Sequence, residues 1–117
     1  MRDHRRLRAF ELADGLAIEV YRVTVSFPKG EQYGLTSQMR RAAVSAASNI
    51  VEGCARSSEA DYLRFLDMAY GSAKELEYHA SLAHRLGFIS ASHHEELRNT
   101  CVETSKVLSG LIRALRG

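Results

Sequence analysis

The sequence predicts an all-α protein, specifically an up-down-up-down antiparallel four-helix bundle. The 117 residues include one proline and no tryptophan, which favours long uninterrupted helices over a turn-rich β protein. Apolar residues recur at spacings of three and four in four separate segments, the period of one helical face. Connections of about three to eight residues join these segments, and such short loops make consecutive helices antiparallel.

Size and composition indicate one compact domain over residues 1–117. Hydrophobic residues make up 45% of the chain and charged residues 26%, an ordinary globular balance that argues against disorder. A chain of this length buries roughly two-thirds of its unfolded surface, which is enough for a core without disulfides or metal.

The first helix is predicted over about residues 7–27. Pro28, Gly30 and Gly34 then end it and form the first loop. One face of this helix carries Leu7, Phe10, Ala13, Ala17, Val20, Thr24 and Phe27.

The second helix is predicted over about residues 36–54, with Thr36 or Ser37 as its N-cap. Because small and apolar residues recur along one side, we expect that side to be buried. It consists of Met39, Ala43, Ala46, Ile50 and Gly53.

The third helix, predicted over about residues 58–86, has the strongest pattern. Ser58 and Asp61 resemble a capping box. Gly71 lies in mid-helix, where glycine costs roughly 1 kcal/mol of helix propensity, so we expect a close packing contact there. A heptad seam contains Tyr62, Leu66, Ala69, Ala73, Leu76, Ala80 and Ala83, and a second contains Phe65, Met68, Ser72, Leu82 and Leu86.

The fourth helix is predicted over about residues 91–116. Gly87 fits the C′ position after the third helix, and Ser90 or Ser92 fits the N-cap of the fourth. Its buried face is predicted to contain Leu97, Cys101, Thr104, Leu108, Leu111 and Leu115.

No catalytic, metal or cofactor motif is recognisable, so we expect no enzyme activity and no cofactor. The Glu-x-x-His spacing of bundle metal sites is missing, and the serines have no glycine elbow or neighbouring histidine. Cys54 and Cys101 lack a Cys-x-x-Cys partner. No apolar run is long enough for a membrane span, and the basic N-terminus does not resemble a secretory signal. The expected location is the cytoplasm.

One face of the second helix is unusual because it is polar but carries few charges. Exposed helix faces are usually rich in lysine and glutamate, whereas small hydrogen-bonding side chains suit a surface that another subunit or a ligand covers. The alternative is a solvated face of mild polarity. The face consists of Gln38, Arg41, Ser45, Ser48, Asn49, Glu52 and Arg56.

Arginine accounts for thirteen of the sixteen basic residues, although the net charge is only +2. Arginine suits bidentate contacts to phosphate and to carboxylate, so nucleic-acid binding and protein interfaces both stay open. At the N-terminus the alternative is a frayed, solubilising end. The candidate phosphate contacts are Arg5, Arg6, Arg8, Arg40, Arg41 and Arg56.

Several short strings also match a known family. They are Phe27-Pro28, Gly34-Leu35-Thr36-Ser37-Gln38, Arg40-Arg41-Ala42-Ala43-Val44-Ser45, Ser48-Asn49-Ile50, Glu52-Gly53, Arg64-Phe65-Leu66, Ala69, Gly71-Ser72, Glu75-Leu76 and Leu86-Gly87. Together they resemble the bacterial four-helix-bundle family encoded in intervening sequences of 23S ribosomal RNA genes. The resemblance extends from about Leu7 to Leu115. The sequence differs from it at Phe10, where tryptophan is usual, at Val51 for alanine, and at Ala46-Ala47 for Ile-Pro.

The resemblance implies a helical bundle that associates into rings, typically homopentamers. It extends to the accessory protein of diversity-generating retroelements, a pentamer that contacts a reverse transcriptase and nucleic acid. The family motif implies no catalytic residue and no cofactor. Three functions stay open: a ring that binds RNA, DNA or a nucleic-acid enzyme, a protein-only scaffold, and, least favoured, a small enzyme.

Overall fold

The computed structural model describes residues 2–117, so Met1 lies outside the described part of the predicted domain. Four helices account for most of it: α1 (Arg8–Thr24), α2 (Leu35–Cys54), α3 (Glu59–Arg85) and α4 (Ala91–Arg116). Two short 3-10 helices, His4–Arg6 and Lys29–Glu31, precede α1 and α2. No strand occurs within these residues.

The helices form an antiparallel bundle, which confirms the predicted fold class. Each helix packs against its neighbours in sequence, and α1 also packs against α4, which closes the arrangement. The molecule measures 43 × 23 × 19 Å, the proportions expected for parallel rods of this length.

The core has two apolar clusters, one towards each end of the bundle. The first lies near the α1–α2 and α3–α4 connections and includes Leu16, Val20, Met39, Leu76 and Leu97. The second lies near the chain termini and the α2–α3 connection, and it includes Ala13, Ile50, Tyr62, Leu66 and Leu108. All four helices contribute to both clusters.

Helix α1 ends at Thr24, three residues before its predicted end. The Thr24 hydroxyl donates to the Val20 carbonyl at 2.7 Å. The residue before a proline disfavours helical backbone angles, so the helix must end before Phe27. Phe27 is still buried, with its ring 5.5 Å from that of Phe88 between centroids.

The start of α2 differs from the prediction. Thr36 and Ser37 lie inside the first turn, and Gly34 occupies the N-cap position without a side-chain hydrogen bond. Glu31 supplies the missing acceptor, because the Leu35 N–H donates to its Oε1 at 3.1 Å. The helix then continues without a break through Ala46 and Ala47.

The predicted signals around α3 and α4 are confirmed. Ser58 accepts the Asp61 N–H and Ser90 accepts the His93 N–H, both at 3.1 Å. Gly87 has a φ of 80°, the left-handed conformation that glycine adopts at C′. The Phe88 N–H donates to the Ala83 carbonyl at 2.9 Å, as in a Schellman motif.

The predicted buried faces are confirmed for α2 and for the heptad seam of α3, and corrected in part elsewhere. On α4 the predicted face is buried as far as Leu108, whereas Leu111 and Leu115 are only half-buried and Ile112 is buried instead. On α1 the fully buried residues include Leu16, while Phe10 and Ala17 are only half-buried. On α3 the second seam is only partly buried, because Met68 and Leu86 are exposed. A three-and-four spacing can be drawn through two adjacent stripes of one helix, so the pattern did not fix the angle at which each helix faces the core.

The prediction that Gly71 is a close packing site is wrong. Gly71 is exposed, and an added Cβ there would meet nothing within 4 Å. The close approach occurs at Gly53, where a Cβ would lie 2.9 Å from Cβ of Phe65 and 3.3 Å from Cδ1 of Tyr62. Near the connection between α2 and α3, helix α3 therefore leaves no room for a side chain at Gly53.

Candidate subunit and nucleic-acid interfaces

The polar face predicted on α2 divides into two parts. Ser45 and Asn49 are half-buried and bind within the protomer: Asn49 Nδ2 donates to the carbonyl and to Oγ of Ser45, both at 2.9 Å. Ser72 of α3 donates to Ser45 Oγ at 3.0 Å. These two residues therefore help to hold α2 against α3 and offer little to another molecule.

The other members of that face point to solvent. Gln38, Arg41, Ser48 and Glu52 are exposed. Arg56, at the end of the face, lies 3.7 Å from a Glu52 carboxylate oxygen and 4.7 Å from the centroid of the Phe65 ring. Arg41 and Ser48 thus form the accessible, sparsely charged centre of the face.

Beside this face lies an apolar surface that the sequence analysis missed. Tyr21 of α1, Tyr33 of the first loop and Val44 of α2 line one groove of about 580 Å³. Ile18 and Val25 share the outer stripe of α1 with Tyr21 and are also exposed. We call these five residues the α1–α2 patch. The spacing of Ile18, Tyr21 and Val25, three and then four residues apart and off the core stripe, is the signal that could have predicted it.

The same groove contains two of the predicted arginines. Arg40 Nε donates to Thr24 Oγ1 at 2.8 Å, and its guanidinium lies 4.6 Å from the centroid of the Tyr21 ring. Arg41 also lines the groove and forms no ion pair within the described chain. No acidic residue lines the groove, so it has a local positive charge that comes from Arg40 and Arg41.

At the N-terminus, Arg5 and Arg8 are already paired with carboxylates. Arg5 makes a two-point contact to Asp3, at 2.9 and 3.1 Å. Arg8 donates to Glu103 of α4 at 3.1 Å. Arg6 forms no ion pair within residues 2–117. Exposed pairs are weak, but each carboxylate still reduces the charge available to a phosphate.

The six predicted arginines do not form one cluster. The Arg2 N–H donates to the Cys54 carbonyl at 3.0 Å, which places the N-terminal arginines near the end of α2 and therefore near Arg56. Arg40 and Arg41 lie near the start of α2, towards the opposite end of a bundle 43 Å long. A single ligand would have to follow the length of the bundle to reach both sets.

Three buried groups, Cys54, Cys101 and His79, have pKa values shifted by burial. Burial raises the pKa of Cys54 and raises that of Cys101 to about 12, opposite to the shift of a reactive thiol. Burial lowers the pKa of His79, and its Nδ1 has no hydrogen-bond partner. Among the described residues no three histidine, cysteine or acidic side chains are grouped as metal ligands would be.

Comparison with known proteins gives the family. The family model described as "23S rRNA-intervening sequence protein" matches residues 5–110. This chain belongs to that family. No curated protein matches this member of the 23S rRNA-intervening sequence protein family. A crystal structure of a protein with unknown function from the S23 ribosomal protein family of Bacteroides thetaiotaomicron is similar, with 25% identity and a TM-score of 0.80. The match covers 89% of this chain and 97% of that one.

The comparisons support the fold of this 23S rRNA-intervening sequence protein over nearly its whole described length. They assign it no activity, because the similar structure is itself described as having unknown function. Within residues 2–117, no helix combines the length and the apolar character needed to cross a bilayer.

Proposed function

We propose that this protein is a non-enzymatic, ring-forming helical module. The observation that carries the proposal is the α1–α2 patch, which exposes aromatic and aliphatic side chains beside the sparsely charged face of α2. Tyr33 and Val25 are 90% and 77% exposed. Contiguous apolar surface rimmed by polar residues is typical of protein–protein interfaces. A second copy of the chain is the proposed occupant.

A ring needs two different surfaces on each subunit, because each contact is heterologous. The proposed complement is the outer stripe of α3, formed by Met68, Gly71 and Tyr78. Met68 and Tyr78 are exposed apolar residues, and they follow the helical spacing on either side of Gly71. Since a Cβ at Gly71 would meet nothing, the stripe has room for the backbone of a neighbouring helix.

The proposed number of subunits, five, comes from the family resemblance. Light scattering should then give a mass of about 65 kDa for five chains of 13.0 kDa. A clean 13.0 kDa species at micromolar concentration would contradict the proposal.

The role of the patch is tested by placing a charge in it. Val44 is 43% exposed, so Val44→Glu should fold normally as a protomer while an unpaired carboxylate disfavours the interface. Leu86→Glu is the matched control, since Leu86 is 54% exposed and lies outside both proposed surfaces. We expect Val44→Glu to give monomers and Leu86→Glu to keep the parent mass. If the parent protein and both variants have equal masses, the patch is not part of the subunit interface.

The second part of the proposal is that the ring binds nucleic acid, or a nucleic-acid enzyme such as a reverse transcriptase. One protomer at +2 attracts a polyanion weakly, but a ring repeats each basic group and adds weak contacts through multivalency. Arg6, which has no ion-pair partner within the described chain and lies outside the groove of the α1–α2 patch, supports this part.

Fluorescence anisotropy with single-stranded RNA and with duplex DNA tests this part. Binding should be independent of base sequence and should weaken steeply between about 50 and 200 mM salt, because phosphate neutralisation releases counterions. If the ring forms but binds neither probe at the low-salt end, the protein is a protein-only scaffold. Hydrolytic or transferase activity in the purified ring would contradict the non-enzymatic assignment.

A further inference from the structure

The groove between α3 and α4 contains a group of basic side chains that the sequence analysis did not single out. Lys74 of α3 and Lys106 and Arg113 of α4 line it, and it has a volume of about 380 Å³. Two of the three lysines in the chain therefore lie in one groove. No acidic residue lines this groove.

The positive charge of this groove is less compensated than that of the N-terminus. Lys74 lies 3.3 Å from a carboxylate oxygen of Glu77. Lys106 and Arg113 form no ion pair in the described part of the chain. By contrast, Arg5 and Arg8 both contact carboxylates at about 3 Å. An incoming anion would meet two unpaired cations in the groove.

Ser105 gives an independent indication of a ligand. Its side chain lines the groove, yet the residue is only 5% exposed and its Oγ has no hydrogen-bond partner. A buried hydroxyl without a partner destabilises the folded protein, so such groups are uncommon without a reason. Ser109 supplies a second hydroxyl to the same groove. Two hydroxyl donors beside lysine and arginine form a donor set that matches phosphate oxygens.

The length of the groove favours a chain of phosphates over one phosphate group. It follows α4 from Val102 to Arg113, about 16 Å at 1.5 Å per residue. Tyr70, half-buried in the wall of the groove, adds an aromatic face on which an unpaired base can stack.

We infer that the α3–α4 groove binds the phosphate backbone of a single-stranded nucleic acid, with Lys106 and Arg113 contacting phosphates and the Ser105 hydroxyl donating to one of them. The inference rests on the nucleic-acid-binding part of the proposed function. In the bundle this groove lies on the side opposite the α1–α2 patch. Its α3 wall includes Lys74, which borders the α3 stripe proposed as the second ring surface, so the inference depends on Lys106 and Arg113 of α4, which lie on the other wall.

The test measures the salt dependence of anisotropy with fluorescein-labelled oligouridylate. For single strands the slope of log affinity against log salt is about −0.7 per phosphate contact. The two cationic contacts, from Lys106 and Arg113, predict a roughly 7-fold loss of affinity between about 50 and 200 mM salt, and one contact predicts a roughly 2.6-fold loss. The double variant Lys106→Ser/Arg113→Ser should therefore lower the slope by about 1.4.

The matched control is Arg22→Ser/Lys29→Ser, which removes the same two charge types from exposed positions outside the groove. We expect this control to keep the parent slope and the parent mass. If both double variants bind like the parent protein, or if both weaken binding equally, the groove is not the site. Either result leaves the ring proposal intact, because light scattering tests that separately.

Ser105→Ala separates ligand binding from a structural role. If the hydroxyl serves a ligand, its removal should weaken RNA binding while the midpoint of thermal unfolding stays unchanged or rises, because an unpaired polar group has been deleted. Weakened binding together with lower stability would indicate a structural role and contradict the inference. Poly-glutamate provides the last test. If the protein binds poly-glutamate as tightly as it binds oligouridylate, the groove is a site for an acidic protein and the inference is wrong. Absence of RNA binding by the parent protein at about 50 mM salt would overturn this inference. Absence of duplex DNA binding as well would overturn the nucleic-acid part of the proposed function.

Discussion

Replacing Gly53 by alanine should destabilise the protein, although alanine is the better helix former. The new Cβ would lie 2.9 Å from Cβ of Phe65 and 3.3 Å from Cδ1 of Tyr62. Because Cβ of Phe65 is fixed directly to the α3 backbone, α3 itself must move away from α2 to restore ordinary contact distances. Overpacking of this kind costs about 1–3 kcal/mol, and the gain in helix propensity offsets at most about 1 kcal/mol of it.

Since the clash is with an atom fixed to the α3 backbone, we expect a cost in the upper part of this range, about 2–3 kcal/mol, and a net loss of about 1–2 kcal/mol of unfolding free energy. For a domain of this size it corresponds to a drop of about 4–8 °C in Tm. Thermal unfolding followed by circular dichroism measures it. Because assembly makes Tm depend on protein concentration, the variants should be compared at one concentration. Both should also carry Val44→Glu, which is expected to keep the protein monomeric.

Gly71→Ala is the matched control, since it adds the same methyl group in a helix where nothing lies within 4 Å. It should stabilise the protomer by about 0.5–1 kcal/mol. If Gly53→Ala were as stable as the parent, or if the two substitutions had equal effects, the claim that α3 leaves no room for a side chain at Gly53 would be refuted.

Three further predictions concern single side chains. The pKa of His79 is lowered by burial, so the unfolded chain binds the extra proton more readily. Stability should be complete above about pH 6.5 and fall below it, and His79→Leu should flatten that acid limb in urea unfolding measured across pH. Burial raises the pKa of both Cys54 and Cys101, so neither thiol should react with a thiol reagent in the native protein. Both should react in denaturant, and fast labelling of the native protein would contradict this prediction. Ser58→Ala removes the hydroxyl that accepts the Asp61 N–H and should cost about 1 kcal/mol, whereas an unchanged unfolding midpoint would mean that the cap contributes nothing.

The local signals in the sequence predicted the helices and most of their ends. Gly87 and Ser90 act as predicted, since a C′ glycine and an N-cap serine depend on a few neighbouring backbone groups. Where the prediction failed, the cause was again a neighbouring residue: Pro28 shortened α1, and Glu31 replaced Thr36 as the acceptor at the start of α2.

The candidate surfaces were less accessible to sequence reasoning. Periodicity identified the polar face of α2, but it could not show that Ser45 and Asn49 are used within the protomer by a contact with Ser72. Nor could it show that Arg8 is paired with Glu103, 95 residues away. Such pairings depend on how far one helix is displaced and rotated against another.

The sequence by itself determined that this protein is a four-helix bundle, because the three-and-four spacing of apolar residues is a property of each helix alone. The tertiary structure decided which glycine is a packing site and which polar side chains stay free. Gly53 and Gly71 are both helical glycines, yet only Gly53 faces the backbone of a neighbouring helix. Lys74 lies 32 residues before Lys106, and the two line one groove because α3 and α4 pack side by side. The helical repeat fixes the direction in which each side chain points from its helix axis. Only the packing of the helices decides which atoms that side chain contacts.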